Sequence, residues 1–148
     1  MAEYYGTFRN ILDSKGRVNM PARFRDMDEI AGNDEHIFIL TRGSEPYIAV
    51  FPLDEWRRIN QELDKDMGTG GEKRNLKRYI NYFSSQQKVD KQGRLNLPQE
   101  LIKYAQLEKE VVLIGTGNKI EIWNPKLIDT EITNSEFEYR QHAKRLDF

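Results

Sequence analysis

Two nine-residue stretches, DSKGRVNMP from Asp13 to Pro21 and DKQGRLNLP from Asp90 to Pro98, each place an aspartate four residues ahead of an arginine. That spacing, with a glycine just before the arginine, has a definite chemistry. An aspartate heading a tight turn accepts backbone N–H groups two residues on, and Gly16 or Gly93 supplies positive φ. Arg17 or Arg94 then begins an outgoing strand within reach of the same carboxylate. A guanidinium held along one edge offers its remaining donors in a fixed plane, which suits phosphate oxygens or the O6/N7 edge of guanine. One copy alone reads more readily as a structural turn. Two copies of the frame Asp-x-x-Gly-Arg-apolar-Asn-apolar-Pro, displaced by 77 residues, indicate an internal duplication. A turn needs the aspartate and the glycine but not the arginine, yet both copies keep it and add a lysine, Lys15 or Lys91.

The elements that must position these loops are legible in outline. HIFILT (36–41) and YIAVF (47–51) are short apolar runs separated by the turn-prone RGSEP, and they read as a hairpin of buried strands. VVLIGT (111–116) and KIEIW (119–123), hinged on Gly117-Asn118, read as a second one. In the latter, Ile120 and Ile122 alternate with Lys119, Glu121 and Trp123. Leu53, Trp56, Ile59 and Leu63 recur at helical spacing, as do Leu76, Tyr79, Ile80 and Phe83. Pro21 and Pro98 suit the first turn of a short helix after each motif. MGTGG (67–71) divides the halves, and Ser135 with Glu138 forms a capping-box pattern for a terminal helix. The expected organisation is a first repeat over 1–66, a linker and helix over 67–83, and a second repeat with a C-terminal helix over 84–148. Neither half has enough strand to stand alone, so the two share one core.

Bulk properties set outer limits. A chain of 148 residues with 38% apolar and 11% aromatic residues folds, despite 32% charged residues. The absence of cysteine excludes disulfides, thiolate metal sites and a cysteine nucleophile. No run has the length of a membrane span and the start lacks an apolar leader, so a cytoplasmic location is expected. The net charge of −1 is no global signature of nucleic-acid binding. Residues 1–25 nevertheless carry Arg9, Lys15, Arg17, Arg23 and Arg25 against Glu3 and Asp13, which predicts a polarised surface.

Catalysis finds little support. His36 and His142 have no neighbours that suggest a triad or a metal site, Asp64 and Asp66 are expected in a charged, solvated loop, and GTGNK (115–119) lacks the length and the Ser/Thr of a phosphate loop. No enzyme, cofactor, metal or small-molecule substrate is expected. Arg140, Lys144 and Arg145 fit a solvated helix face or a partner surface.

On the quoted motifs and on GTGNKIEIWN, the chain resembles the MraZ family of transcriptional regulators, related to the AbrB-like swapped-hairpin proteins. The resemblance covers nearly the whole chain. It implies a mainly β fold with added helices, in which two pseudo-repeated AbrB-like swapped-hairpin units form one double-split barrel. It also implies a ring-shaped homo-oligomer that binds double-stranded DNA at short promoter repeats upstream of its own cell-division and cell-wall operon, hence nucleoid association. The family's functional pairs fall on Asp13 with Arg17 and Asp90 with Arg94. Lys15, Lys91 and Arg9 join them here as expected phosphate contacts, from charge and position. Two departures stand out: Ser84–Gln87 is more polar than the family leads one to expect, and Leu127-Ile128 replaces an aromatic after the second hairpin. A protein-binding module of AbrB type, antitoxin-like or scaffold, is the alternative.

Overall fold

The computed structural model describes residues 2–66 and 70–148. Its elements run β1 (Tyr4–Ile11), β2 (Arg17–Asn19), α1 (Ala22–Ile30), β3 (Ile37–Arg42), β4 (Ile48–Pro52), α2 (Leu53–Asp66), α3 (Gly71–Tyr82), β5 (Ser85–Lys88), β6 (Arg94–Asn96), α4 (Gln99–Tyr104), β7 (Glu110–Gly117), β8 (Ile120–Trp123) and α5 (Pro125–Arg145). Both expected hairpins form, as β3–β4 and β7–β8. Residues 67–69, the heart of the expected boundary between halves, lie outside the described residues.

The protein is mainly antiparallel sheet with added helices. Six strands lie in the order β1-β7-β8-β4-β3-β5, and the two hairpins join at the centre through β4 and β8. The flanking strands cross over: β1, which precedes the first hairpin, pairs with β7, and β5, which precedes the second, pairs with β3. β2 and β6 stand apart as a two-stranded ribbon. Among the described residues no ladder joins β1 to β5, so the six strands form an open sheet.

Strand alternation explains the two layers of core. Phe38, Leu40, Ile48, Val50, Leu113, Ile120 and Ile122 point to one face, where they meet Val18 and Leu95 of the ribbon, Phe24 of α1 and Leu101 of α4. Tyr47, Ala49, Val112 and Trp123 point to the other, where they meet Ile128 of α5. Tyr47 stacks on Trp123 at 5.0 Å between ring centroids. Burying a Val or Leu side chain stabilises by about 1.5–3 kcal/mol, so Val18 and Leu95, with the buried Met20 and Leu97 beside them, help fasten the ribbon to the sheet.

Several local expectations shift, the first being that Asp64 and Asp66, expected in a loop, belong to the last turn of α2. Pro21 and Pro98 occupy the N-cap position, one residue ahead of the first helical turn, with extended ψ of 139° and 141°. The terminal helix begins at Pro125, well before Ser135, because Asn124 caps it by accepting a hydrogen bond from Lys126 N at 2.9 Å. Ser135 and Glu138 therefore lie inside α5 as exposed residues. The polar run before the second motif does form a strand, the four-residue edge β5, and Ile128 fills its place in the second apolar cluster without an aromatic.

Candidate nucleic-acid interface

The two aspartate-arginine loops fold alike, atom for atom. Asp13 Oδ1 accepts from Lys15 N and Arg17 N, both at 2.9 Å, and Oδ2 accepts from Arg17 Nε at 2.9 Å. Asp90 Oδ1 accepts from Gln92 N and Arg94 N at 2.9 Å, and Oδ2 accepts from Arg94 Nε at 3.0 Å. One carboxylate thus closes the turn with one oxygen and orients the arginine with the other. Gly16 and Gly93 take φ of +80° and +81° as the turn demands. The backbone N–H of the arginine is the main influence holding Asp13 and Asp90 below the usual carboxylate value, ahead of desolvation acting in the opposite direction. Both carboxylates are therefore ionised at neutral pH, and each arginine keeps its brace.

The loops are also tied to each other. Met20 N donates to Gly93 O and Leu97 N donates to Gly16 O, both at 2.8 Å. Between these bonds β2 and β6 pair antiparallel, with Arg17 opposite Asn96, Val18 opposite Leu95 and Asn19 opposite Arg94. Val18 and Leu95 turn inward, so Arg17, Asn19, Arg94 and Asn96 share the outward face. Arg17 and Arg94 are diagonal neighbours on that face, about 7–8 Å apart. Their Nε atoms are held by the aspartates, and among the described residues no hydrogen bond engages their Nη groups. Each arginine side chain is roughly 30% exposed, at 27% and 30%, and so is fixed without being hidden.

Six of the seven expected residues come together here: Asp13, Lys15, Arg17, Asp90, Lys91 and Arg94. Lys15 and Lys91 are exposed on the turns, at unequal places, since Lys15 lies two residues after its aspartate and Lys91 only one. Arg9 does not join them. It lies on β1 opposite Val112, whose side chain belongs to the second apolar cluster, and it faces α5, where Arg9 Nη2 pairs with Asp129 at 3.8 Å. Its neighbour Asn10 takes the other face and donates to Asn19 O at 2.8 Å. Alternation along β1 thus sends Arg9 to the α5 side of the sheet, away from the ribbon and the two loops.

Asn19 and Asn96 are the polar residues that sequence reasoning passed over. They were visible in the repeated frame, each two residues beyond an arginine with an apolar residue between, which is the spacing that puts two side chains on one face of a strand.

Fold and site together define a mainly β protein that presents two braced arginines on a single ribbon. The sequence relationships agree on what that class is. A family model described as "MraZ protein, putative antitoxin-like" matches residues 4–79 and 84–147. The chain belongs to the MraZ family. Proteins named transcriptional regulator MraZ from Natranaerobius thermophilus and Pediococcus pentosaceus are 36% and 35% identical to it over 143 residues, spanning 97% of this chain and 96% of each relative. The namesake from Halothermothrix orenii is 33% identical over 144 residues.

Proposed function

We propose that the protein is a transcription regulator that binds duplex DNA through the β2–β6 ribbon. The observation that carries this reading is the pair of arginines on one outward face, each braced by its own ionised aspartate. Arg17 and Arg94 enter a groove, where a guanidinium pairs with guanine and Asn19 or Asn96 suits adenine. Lys15 and Lys91 contact phosphates, which fix register without reading sequence. Asp13 and Asp90 act by orienting the arginines.

The same reading extends to architecture and assembly. The alike loops and the crossed strand pairs support two duplicated swapped-hairpin units, divided near 67–83, that together make a double-split barrel. One ribbon is a small contact, so a ring of identical subunits supplies the avidity needed for short promoter repeats. Those repeats lie upstream of the protein's own cell-division and cell-wall operon, and the protein works at the nucleoid. Among the described residues no helix is long and apolar enough to cross a membrane.

The family description also contains the word antitoxin, which favours a second reading as a protein-binding module. Salt dependence separates the two, because neutralised phosphates release counterions and a protein partner does not reproduce that slope. The test is affinity for the native upstream DNA and for a scrambled duplex across a salt series, with wild type and the Arg17→Ala/Arg94→Ala double variant. A steep slope and a preference for native DNA, both lost in a double variant that stays folded and keeps its oligomeric mass, support the interface. A wild-type protein that treats the duplexes alike with no salt slope refutes it. For a single Arg17→Ala, loss of a base contact reduces discrimination between sites by about 1–3 kcal/mol.

A further inference from the structure

The two loops differ in what lies over their glycines. Arg25, on α1, rests its guanidinium against the second loop: a Cβ built on Gly93 would stand 3.4 Å from Arg25 Cζ and 3.5 Å from its Nη1. Arg25 Nε donates to Met20 O at 3.2 Å, the same residue whose N–H bonds Gly93 O. Seventy-seven residues on from Arg25, at the corresponding place on α4, stands Ile102. Its Cδ1 lies 3.3 Å from a Cβ built on Gly16, so it covers the first loop as Arg25 covers the second.

That comparison separates packing from charge. Ile102 shows that shielding the glycine of this turn needs no guanidinium, and the bond to Met20 O uses one donor of the five that an arginine carries. Among the described residues no carboxylate pairs with Arg25, although Arg17 and Arg94 each have one. The second loop therefore has Arg25 laid against Gly93 in addition to its own Lys91 and Arg94, whereas the first has an isoleucine there beside its own Lys15 and Arg17.

We propose that Arg25 is a phosphate-contacting residue of the 90–94 loop, so that the two loops grip duplex DNA unequally and the second is the stronger anchor. The proposal rests on the DNA-binding reading above. It makes a protein with two alike loops bind with a polarity that the loops alone do not have.

The experiment measures affinity for the native upstream duplex and a scrambled one across a salt series, with Arg25→Gln, Arg25→Ile and Ile102→Arg beside wild type. Arg25→Ile copies the first loop's covering, and Arg25→Gln retains an amide that can donate to Met20 O should the isoleucine variant fold poorly. One lost phosphate contact reduces the log–log salt slope by about 0.9, or roughly eightfold in affinity at about 0.1 M salt. The expected result is that reduction for both Arg25 variants, equal on the two duplexes, and a steeper slope for Ile102→Arg. A folded Arg25→Gln with the wild-type slope overturns the proposal, whatever its affinity. Failure of the DNA-binding reading is recognised separately, by a wild-type protein with no slope to lose.

Discussion

Alanine at the two motif glycines tests the geometry of the ribbon, because the same substitution meets different surroundings in the two loops. Both sites hold φ near +80°, a conformation that costs an L residue about 1–2 kcal/mol. Part of that loss is offset, since alanine restricts the unfolded chain and gains about 0.4–1 kcal/mol. At Gly93 the new methyl meets the end of the Arg25 side chain, 3.4 Å away, which can swing aside. At Gly16 it meets Leu97 O at 3.2 Å, a carbonyl fixed by its place beside the ribbon, with Ile102 Cδ1 at 3.3 Å. Crowding against fixed atoms adds about 1–3 kcal/mol. The expected destabilisation is therefore about 1 kcal/mol for Gly93→Ala and about 2–3 kcal/mol for Gly16→Ala. Urea unfolding at one fixed protein concentration reads both, and the melting temperatures should differ by several degrees, at about 2–4 °C per kcal/mol for a chain of this size. DNA affinity should move in the opposite order: Gly93→Ala displaces Arg25 and weakens binding in a protein close to wild-type stability. Equal losses of stability, or a larger loss at Gly93, would refute the assignment of neighbours to the two loops.

Asp13→Asn and Asp90→Asn keep an oxygen for the backbone N–H groups of the turn but set an amide N–H against the arginine Nε, so the turn survives while the brace is lost; affinity should fall severalfold with the far-ultraviolet spectrum unchanged. Because both carboxyls are held below their usual value, the stability they contribute is present above the unfolded-state pKa and is lost only as pH falls through the lower folded one; DNA affinity between pH 6 and 8 should owe no pH dependence to them, and a drop in that window traced to Asp13 or Asp90 would contradict the brace. Leu95→Ala empties a fully buried position opposite Val18 and should cost about 2–5 kcal/mol in urea unfolding, whereas an exposed ribbon residue such as Asn96 should change stability by less than about 0.5 kcal/mol when replaced by alanine. Tyr4→Phe removes the hydroxyl that donates to Asp28, a carboxyl with no exposed surface whose pKa burial raises; leaving that acceptor short of a donor should cost about 1–3 kcal/mol, and a neutral outcome in the unfolding curve would show that water takes the place of the hydroxyl.

Local information sits plainly in this sequence. The Asp-Gly-Arg order settles each turn by itself, because the aspartate bonds lie within four residues and the positive φ belongs to the glycine. The alternation of Ile120, Ile122 and their neighbours likewise places β8 without any knowledge of the rest. Asn124-Pro125 was an equally local start signal for α5, and the Ser135–Glu138 pattern misled because capping residues inside an established helix have no free N–H groups to bond. β1 went unread although Tyr4, Phe8 and Asn10 alternate with Tyr5, Arg9 and Ile11, since Gly6 and Thr7 interrupt its apolar residues and only Tyr4 among them is fully buried.

What only the tertiary structure decided is which residues meet. Nothing in the two motifs says that β2 pairs with β6, that Arg17 lies across from Asn96, or that Met20 and Leu97 each tie down the other loop's glycine. Those pairings join residues some 77 positions apart, and their register is set by the burial of Val18 against Leu95 and by a core the two halves build jointly. Arg9 and Arg25 make the same point from opposite sides. Both count equally in the basic N-terminal charge, yet strand parity turns Arg9 toward α5 and helix placement lays Arg25 over Gly93. Charge is written in the sequence, but its direction depends on the parity and packing of the element that carries it.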